Sequence, residues 1–155
     1  MKKFFLSTLI LALIFLTGCG ESQSPPAEKI SPPAAQEEGV NLKIKIRIGE
    51  KVFDATLEDN SSAREFAKKL PLEVTMEELN GNEKYYRFSE NFPSKDERVG
   101  KIQAGDLMLY SSSYVVLFYK NFSTNYSYTR LGKIDNPAGL LDVVERGNIL
   151  VKFEK

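Results

Sequence analysis

At 155 residues, with 42% hydrophobic and 27% charged side chains, the chain has the composition of one domain with a buried core and excludes a disordered protein. Lys plus Arg equals Asp plus Glu at 21 each, which leaves no basic field of the kind that phosphate backbones select and argues against a nucleic-acid partner. Histidine is absent, which removes the commonest transition-metal ligand and the side chain best suited to proton transfer near neutral pH, so neither a cofactor nor a metal is expected.

Residues 1–18 read as a targeting segment. Lys2 and Lys3 form a positive start, Phe4 to Leu16 is apolar apart from Ser7 and Thr8, and Thr17-Gly18 places small residues before Cys19. Leu16-Thr17-Gly18-Cys19 resembles the lipobox of bacterial lipoproteins. That resemblance implies cleavage before Cys19, acylation of this cysteine (the only one in the chain) by diacylglyceryl and fatty acyl groups such as palmitate, and a site in the bacterial cell envelope facing outside the cytoplasm. Loss of residues 1–18 leaves 19 basic against 21 acidic residues, a formal charge of −2. Residues 19–41 then read as the lipidated cysteine and a tether. Pro25, Pro26, Pro32 and Pro33 lie there among Ser, Ala, Gln and Glu, with too little apolar surface to offset the entropy of ordering.

Residues 42–155 carry the domain. Leu42, Ile44, Ile46 and Ile48 alternate with lysines and an arginine, Gly49-Glu50 suits a tight turn, and Phe53, Ala55 and Leu57 resume the alternation, which predicts a β-hairpin. Ala63, Phe66, Ala67 and Leu70 have helical spacing, with Ser62 and Glu65 at the distance of a capping box and Pro71 beyond. Leu72, Val74 and Met76 alternate again, and Asn80-Gly81 marks a hairpin before Tyr85 to Phe88. After a polar loop over 89–101, the runs Leu107 to Tyr110 and Val115 to Tyr119 are expected to pair across Ser111 to Ser113. A strand from Tyr128 to Ile134 follows. Asn136-Pro137 reads as a cap with proline in the first turn of a helix whose face is Pro137, Leu140, Leu141 and Val144, stopped by Gly147. Ile149, Val151 and Phe153 form the last strand. This pattern predicts a mainly β fold, a closed antiparallel barrel of about eight strands with two short helices.

Leu131-Gly132-Lys133-Ile134 followed by Gly139 to Glu145 resembles the C-terminal part of cyclophilins, and Gln103-Ala104-Gly105-Asp106-Leu107 is similar to another cyclophilin run. Asn80 to Tyr86, Gly105 to Tyr110 and Tyr126 to Gly132 resemble more closely the bacterial cyclophilin-like domain proteins. The resemblance spans nearly all of 42–155 and implies an eight-stranded barrel. Cyclophilins are peptidyl-prolyl isomerases. Carried over residue by residue, Gln103 matches their pocket glutamine and Phe118 is an aromatic held in common. Tyr128 stands at the histidine, Ser123 at the tryptophan, Gly100 and Lys101 at a Phe-Met pair, and Lys95 near the arginine.

The candidate pocket is therefore aromatic: Phe118, Tyr119, Tyr126 and Tyr128, with Gln103 and, two residues beyond Tyr128, Arg130. Phe118 and Phe122 are also natural core residues for a small barrel. Asp54, Glu58 and Asp59 lack the regular spacing of a calcium loop and read as a solvated turn. The expected function is a membrane-anchored, non-catalytic binding module for a proline-containing peptide or a small ligand. A weak peptidyl-prolyl isomerase and an envelope scaffold are the rival readings.

Overall fold

A computed structural model of the chain describes residues 42–144 and 147–155. The expected signal segment, Cys19 and the tether lie outside the described residues. The order is β1 (Lys43–Ile48), β2 (Lys51–Leu57), α1 (Ser61–Lys68), β3 (Leu72–Leu79), β4 (Glu83–Arg87), β5 (Glu97–Arg98), β6 (Lys101–Ile102), β7 (Asp106–Tyr110), β8 (Tyr114–Phe118), β9 (Phe122–Ser123), β10 (Ser127–Ile134), α2 (Leu140–Val143) and β11 (Ile149–Glu154).

Eight strands form a closed antiparallel barrel in the order β2-β1-β11-β3-β4-β8-β7-β10, with β10 pairing back onto β2. Alternation sends Ile44, Ile46, Val74, Met76, Leu107, Leu109, Val115, Leu117, Val151 and Phe153 into the interior, where they form the main core. The seam depends on Gly132. The β10–β7 register shifts between Arg130 and Gly132, and Gly132 then faces Leu57 across the closing pair. A Cβ there would stand 2.5 Å from the Thr56 carbonyl oxygen, so only glycine lets the two backbones meet.

The expected hairpins are present: β1 and β2 turn at Gly49, and β3 and β4 turn at Asn80 and Gly81, both with positive φ. β7 and β8 pair as expected across the serine turn. Helix α1 packs Phe66 edge-on against Phe153, with ring centroids 5.3 Å apart. Its cap differs from expectation. Asn60, not Ser62, accepts the Ala63 N–H at 2.8 Å, while the Ser62 hydroxyl lies buried inside the helix and donates to the Pro93 carbonyl. Glu65 pairs with Lys68 instead of closing a box.

The second helix is also shorter than its periodicity suggests. Asn136 Oδ1 accepts from the Ala138 N–H in a turn of its own, and α2 starts only after Gly139, whose φ of +78° breaks the helix that Pro137 was expected to open. Leu140 and Val144 reach the core, but Leu141 is 56% exposed. Glu145 lies outside the described residues.

Candidate functional site

The barrel is covered on the outside as well as filled. Met108, Val116, Phe118 and Tyr128 point outward from β7, β8 and β10 and form a second buried cluster with Ile102. The β6–β9 ribbon brings Ile102 and Phe122 over it, with the Phe122 ring 5.6 Å from that of Phe118. This ribbon also holds Lys101 opposite Ser123. Phe118 is fully buried and acts as a floor rather than as an exposed wall.

Beside this cluster a cleft of about 370 Å³ opens on the outer face, lined by Leu79, Asn80, Glu83, Val116 and five of the seven tyrosines: Tyr85, Tyr110, Tyr114, Tyr126 and Tyr128. Tyr85 and Glu83 come from alternate positions of β4. Tyr110 and Tyr114 flank the serine turn, Tyr126 immediately precedes β10, and Tyr128 is its second residue. The rings brace one another, Tyr110 lying 5.5 Å from Tyr128 and 6.2 Å from Tyr126, and Tyr114 lying 6.0 Å from Tyr85. Tyr126 is 64% and Tyr110 40% exposed, so much of the wall is apolar surface that remains in water. The Arg87 guanidinium lies 5.6 Å from the centre of the Tyr114 ring, a cation already seated on part of this wall.

Glu83 is the polar group of the floor. It is 8% exposed, stands across from Phe118 on β8, and has no hydrogen-bond or ion-pair partner among the described residues. Burial, reinforced by the negative charge of Glu78, pushes its carboxyl up to about 7. Tyr128 is pushed up to about 12, by burial first and then by the charge of Glu83.

The other predicted site residues are dispersed. Tyr119 lies in the core, where its hydroxyl donates to Glu78 at 2.8 Å, and burial together with that bond raises it. Glu78 also faces Lys84, a fully buried lysine whose Nζ is 2.6 Å from Glu78 Oε2 and 2.5 Å from the Gly147 carbonyl. Burial pushes Glu78 upward, but the bonds from Lys84 and Tyr119 outweigh it and hold the carboxyl below its usual range.

Gln103 is exposed near the start of β7, where its side chain accepts from Lys133 Nζ at 2.5 Å. Arg130 lines a second, polar cleft with Lys95, Arg98, Glu58, Glu97 and the N-terminal residues of α1. Tyr128 borders both clefts, Tyr126 only the first, so Arg130 is not the cation of the tyrosine wall. Asp54 and Asp59 are engaged by Lys45 and Arg64, and among the described residues no acidic group of three gathers closely enough to hold a metal ion.

Glu83, Tyr85 and Tyr110 were not singled out by sequence reasoning. Their signal lies in β8, whose run Val115 to Phe118 is apolar on both faces. A strand covered on both sides buries outward-facing groups of its neighbours as well.

A comparison with known proteins agrees with this architecture. Residues 46–154 match the family model of the Cyclophilin-like family. Among solved structures, the solution structure of the hypothetical protein AF2241 from Archaeoglobus fulgidus superposes with a TM-score of 0.54 at 21% identity, covering 77% of this chain and 98% of that one, a likeness of fold. No curated protein matches. With the eight-stranded circuit, the covering ribbon and a match over most of the domain in agreement, the chain belongs to the Cyclophilin-like family.

Proposed function

We propose that the domain is a binding module that takes a proline-containing peptide or a small ligand in the tyrosine cleft and carries out no covalent chemistry, tethered outside the cytoplasm by a lipid on Cys19. The single observation that carries the binding role is the convergence of five tyrosines on one outward-opening cleft. Rigid aromatic rings supply contact area at small entropic cost, and their hydroxyls serve a polar ligand edge. The tether rests on Lys2, Lys3, the apolar run and Leu16-Thr17-Gly18-Cys19.

The test is an NMR titration of the domain with short peptides that contain or lack a central proline. Binding that perturbs the tyrosine ring signals and is lost in Tyr110→Ala/Tyr126→Ala supports the reading. Peptide binding that this double variant leaves intact removes the cleft from the account.

A weak peptidyl-prolyl isomerase is the second reading, favoured by the cations Lys95, Arg98 and Arg130 gathered around Tyr128 in the polar cleft. It predicts acceleration of prolyl isomerisation in a model peptide that disappears in Arg130→Ala.

A further inference from the structure

We propose that the tyrosine cleft recognises an alkylammonium group, with Glu83 as its counter-ion and the tyrosine faces as its walls. The inference rests on the binding-module reading and names the ligand chemistry of that same cleft. A glutamate whose residue surface is more than nine-tenths buried ordinarily has a donor or a cation beside its carboxyl, because desolvation without a partner is unfavourable. Glu83 has neither among the described residues, although it opens into a space large enough for a ligand.

Among the described residues no neighbouring cation pairs with Glu83. Lys84 is the next residue, so strand alternation sends it to the opposite face, where it meets Glu78 and the Gly147 carbonyl. Arg87 sits on the Tyr114 part of the wall without pairing with Glu83, and Lys120 lies over Tyr119. The missing partner of Glu83 is thus positively charged or a strong donor, and it has to enter between tyrosine rings.

Aromatic walls around a carboxylate select organic cations over neutral groups of the same size. The ring faces are negative, and the apolar rim removes water from the charge without removing its counter-charge. Leu79 and Val116 supply apolar contact for an alkyl stem. A guanidinium offers a poorer fit, because a single carboxylate inside a ring-lined space leaves several of its five donors unmet, whereas an ammonium is compact. The ammonium has two sources of the same chemistry, a lysine side chain of a peptide and a free primary amine.

The chain has no tryptophan and five of its seven tyrosines line the cleft, so tyrosine fluorescence and ring NMR signals report on the site directly. The probes are n-butylammonium, n-butanol as its neutral counterpart, a short lysine-containing peptide and the same peptide with acetylated lysine, each titrated into the domain at pH 8. We expect butylammonium to bind at least ten-fold more tightly than butanol, and Glu83→Gln and Tyr126→Ala each to weaken it by at least ten-fold. Tyr126 is exposed, so its truncation keeps the fold. If the lysine peptide binds ten-fold better than butylammonium and acetylation abolishes the gain, the source is a peptide; equal affinities point to a free amine. Equal binding of butylammonium and butanol, or a Glu83→Gln variant that binds the cation as well as the parent does, overturns the proposal. If cations fail while a neutral prolyl peptide binds in a Tyr126-dependent way, the ammonium inference falls and the binding module stands. Failure of every probe and of the prolyl peptides removes both.

Discussion

Replacing Glu83 by glutamine separates a buried, proton-holding carboxyl from an ordinary surface one. In the folded chain its proton leaves at about 7, against 4.5 for an unperturbed glutamate. The interval, 7 minus 4.5, amounts to about 3 kcal/mol at 1.36 kcal/mol per pH unit. The unfolded chain gives up this proton above 4.5 while the folded chain retains it to about 7, so the native state binds the extra proton in that window. Stability from this group is therefore complete below 4.5, falls as the pH rises, and is gone above 7. Tyr128 shares the cleft with Glu83, while Glu78 on β3 and Tyr119 act on it through the strand from the opposite face, and none of the three supplies a compensating positive charge. Glutamine is neutral throughout and removes the slope. Urea unfolding followed by far-UV circular dichroism at pH 5 and pH 8 gives the measurement. The advantage of Glu83→Gln over the parent is expected to be larger at pH 8 by about 2.5 kcal/mol, a midpoint separation of roughly 1 M urea or more at the usual slopes. An advantage that stays the same at both pH values, within about 0.5 kcal/mol, means that Glu83 titrates like an exposed side chain and refutes the description of the cleft floor.

Lys84→Met is expected to destabilise the domain by about 3 kcal/mol, because it leaves the Glu78 carboxyl beside the core without its cation, whereas Lys84→Met/Glu78→Gln recovers most of the loss; a single variant as stable as the parent in urea contradicts the pairing. Gly132→Ala drives a methyl group into the Thr56 carbonyl at the barrel seam, and amide hydrogen exchange is expected to accelerate first along β2 and β10. Unchanged protection in those strands shows that the seam can yield. For the tether, the full chain expressed in a bacterium is expected to incorporate labelled palmitate and Cys19→Ser to incorporate none, and a parent chain that takes up no label rules out the lipid anchor.

The barrel was largely legible because most of its strands have one polar face: the lysines between Ile44, Ile46 and Ile48 fix by alternation alone which side of β1 turns inward. Turn chemistry did the same for Asn80 and Gly81. Capping failed as a guide where a tertiary partner competed, since Ser62 is spent on Pro93 and the cap passes to Asn60. The second helix failed for a related reason: apolar spacing over Pro137, Leu140, Leu141 and Val144 does not register that Gly139 has left-handed geometry. In the cleft, the aromatic cluster near Tyr126 and Tyr128 was visible in sequence, yet its carboxyl was not. A glutamate in an alternating strand reads as solvent-facing until the outer side of the sheet is known to be covered. Arg130 and Tyr128 were close in sequence, and the pair does border one cleft, but Tyr126 is turned to the other.

Because β10 returns to β2, the circuit of main-chain pairing has no beginning and no end. Proteins crowded at a surface ordinarily risk strand-to-strand association, since an open sheet offers any passing chain a row of unsatisfied amides. Among the described residues the only ladder ends belong to two-residue stretches, β5 and the β6–β9 ribbon, too short to template a neighbour. The face this domain turns to its surroundings is consequently one of side chains rather than free backbone.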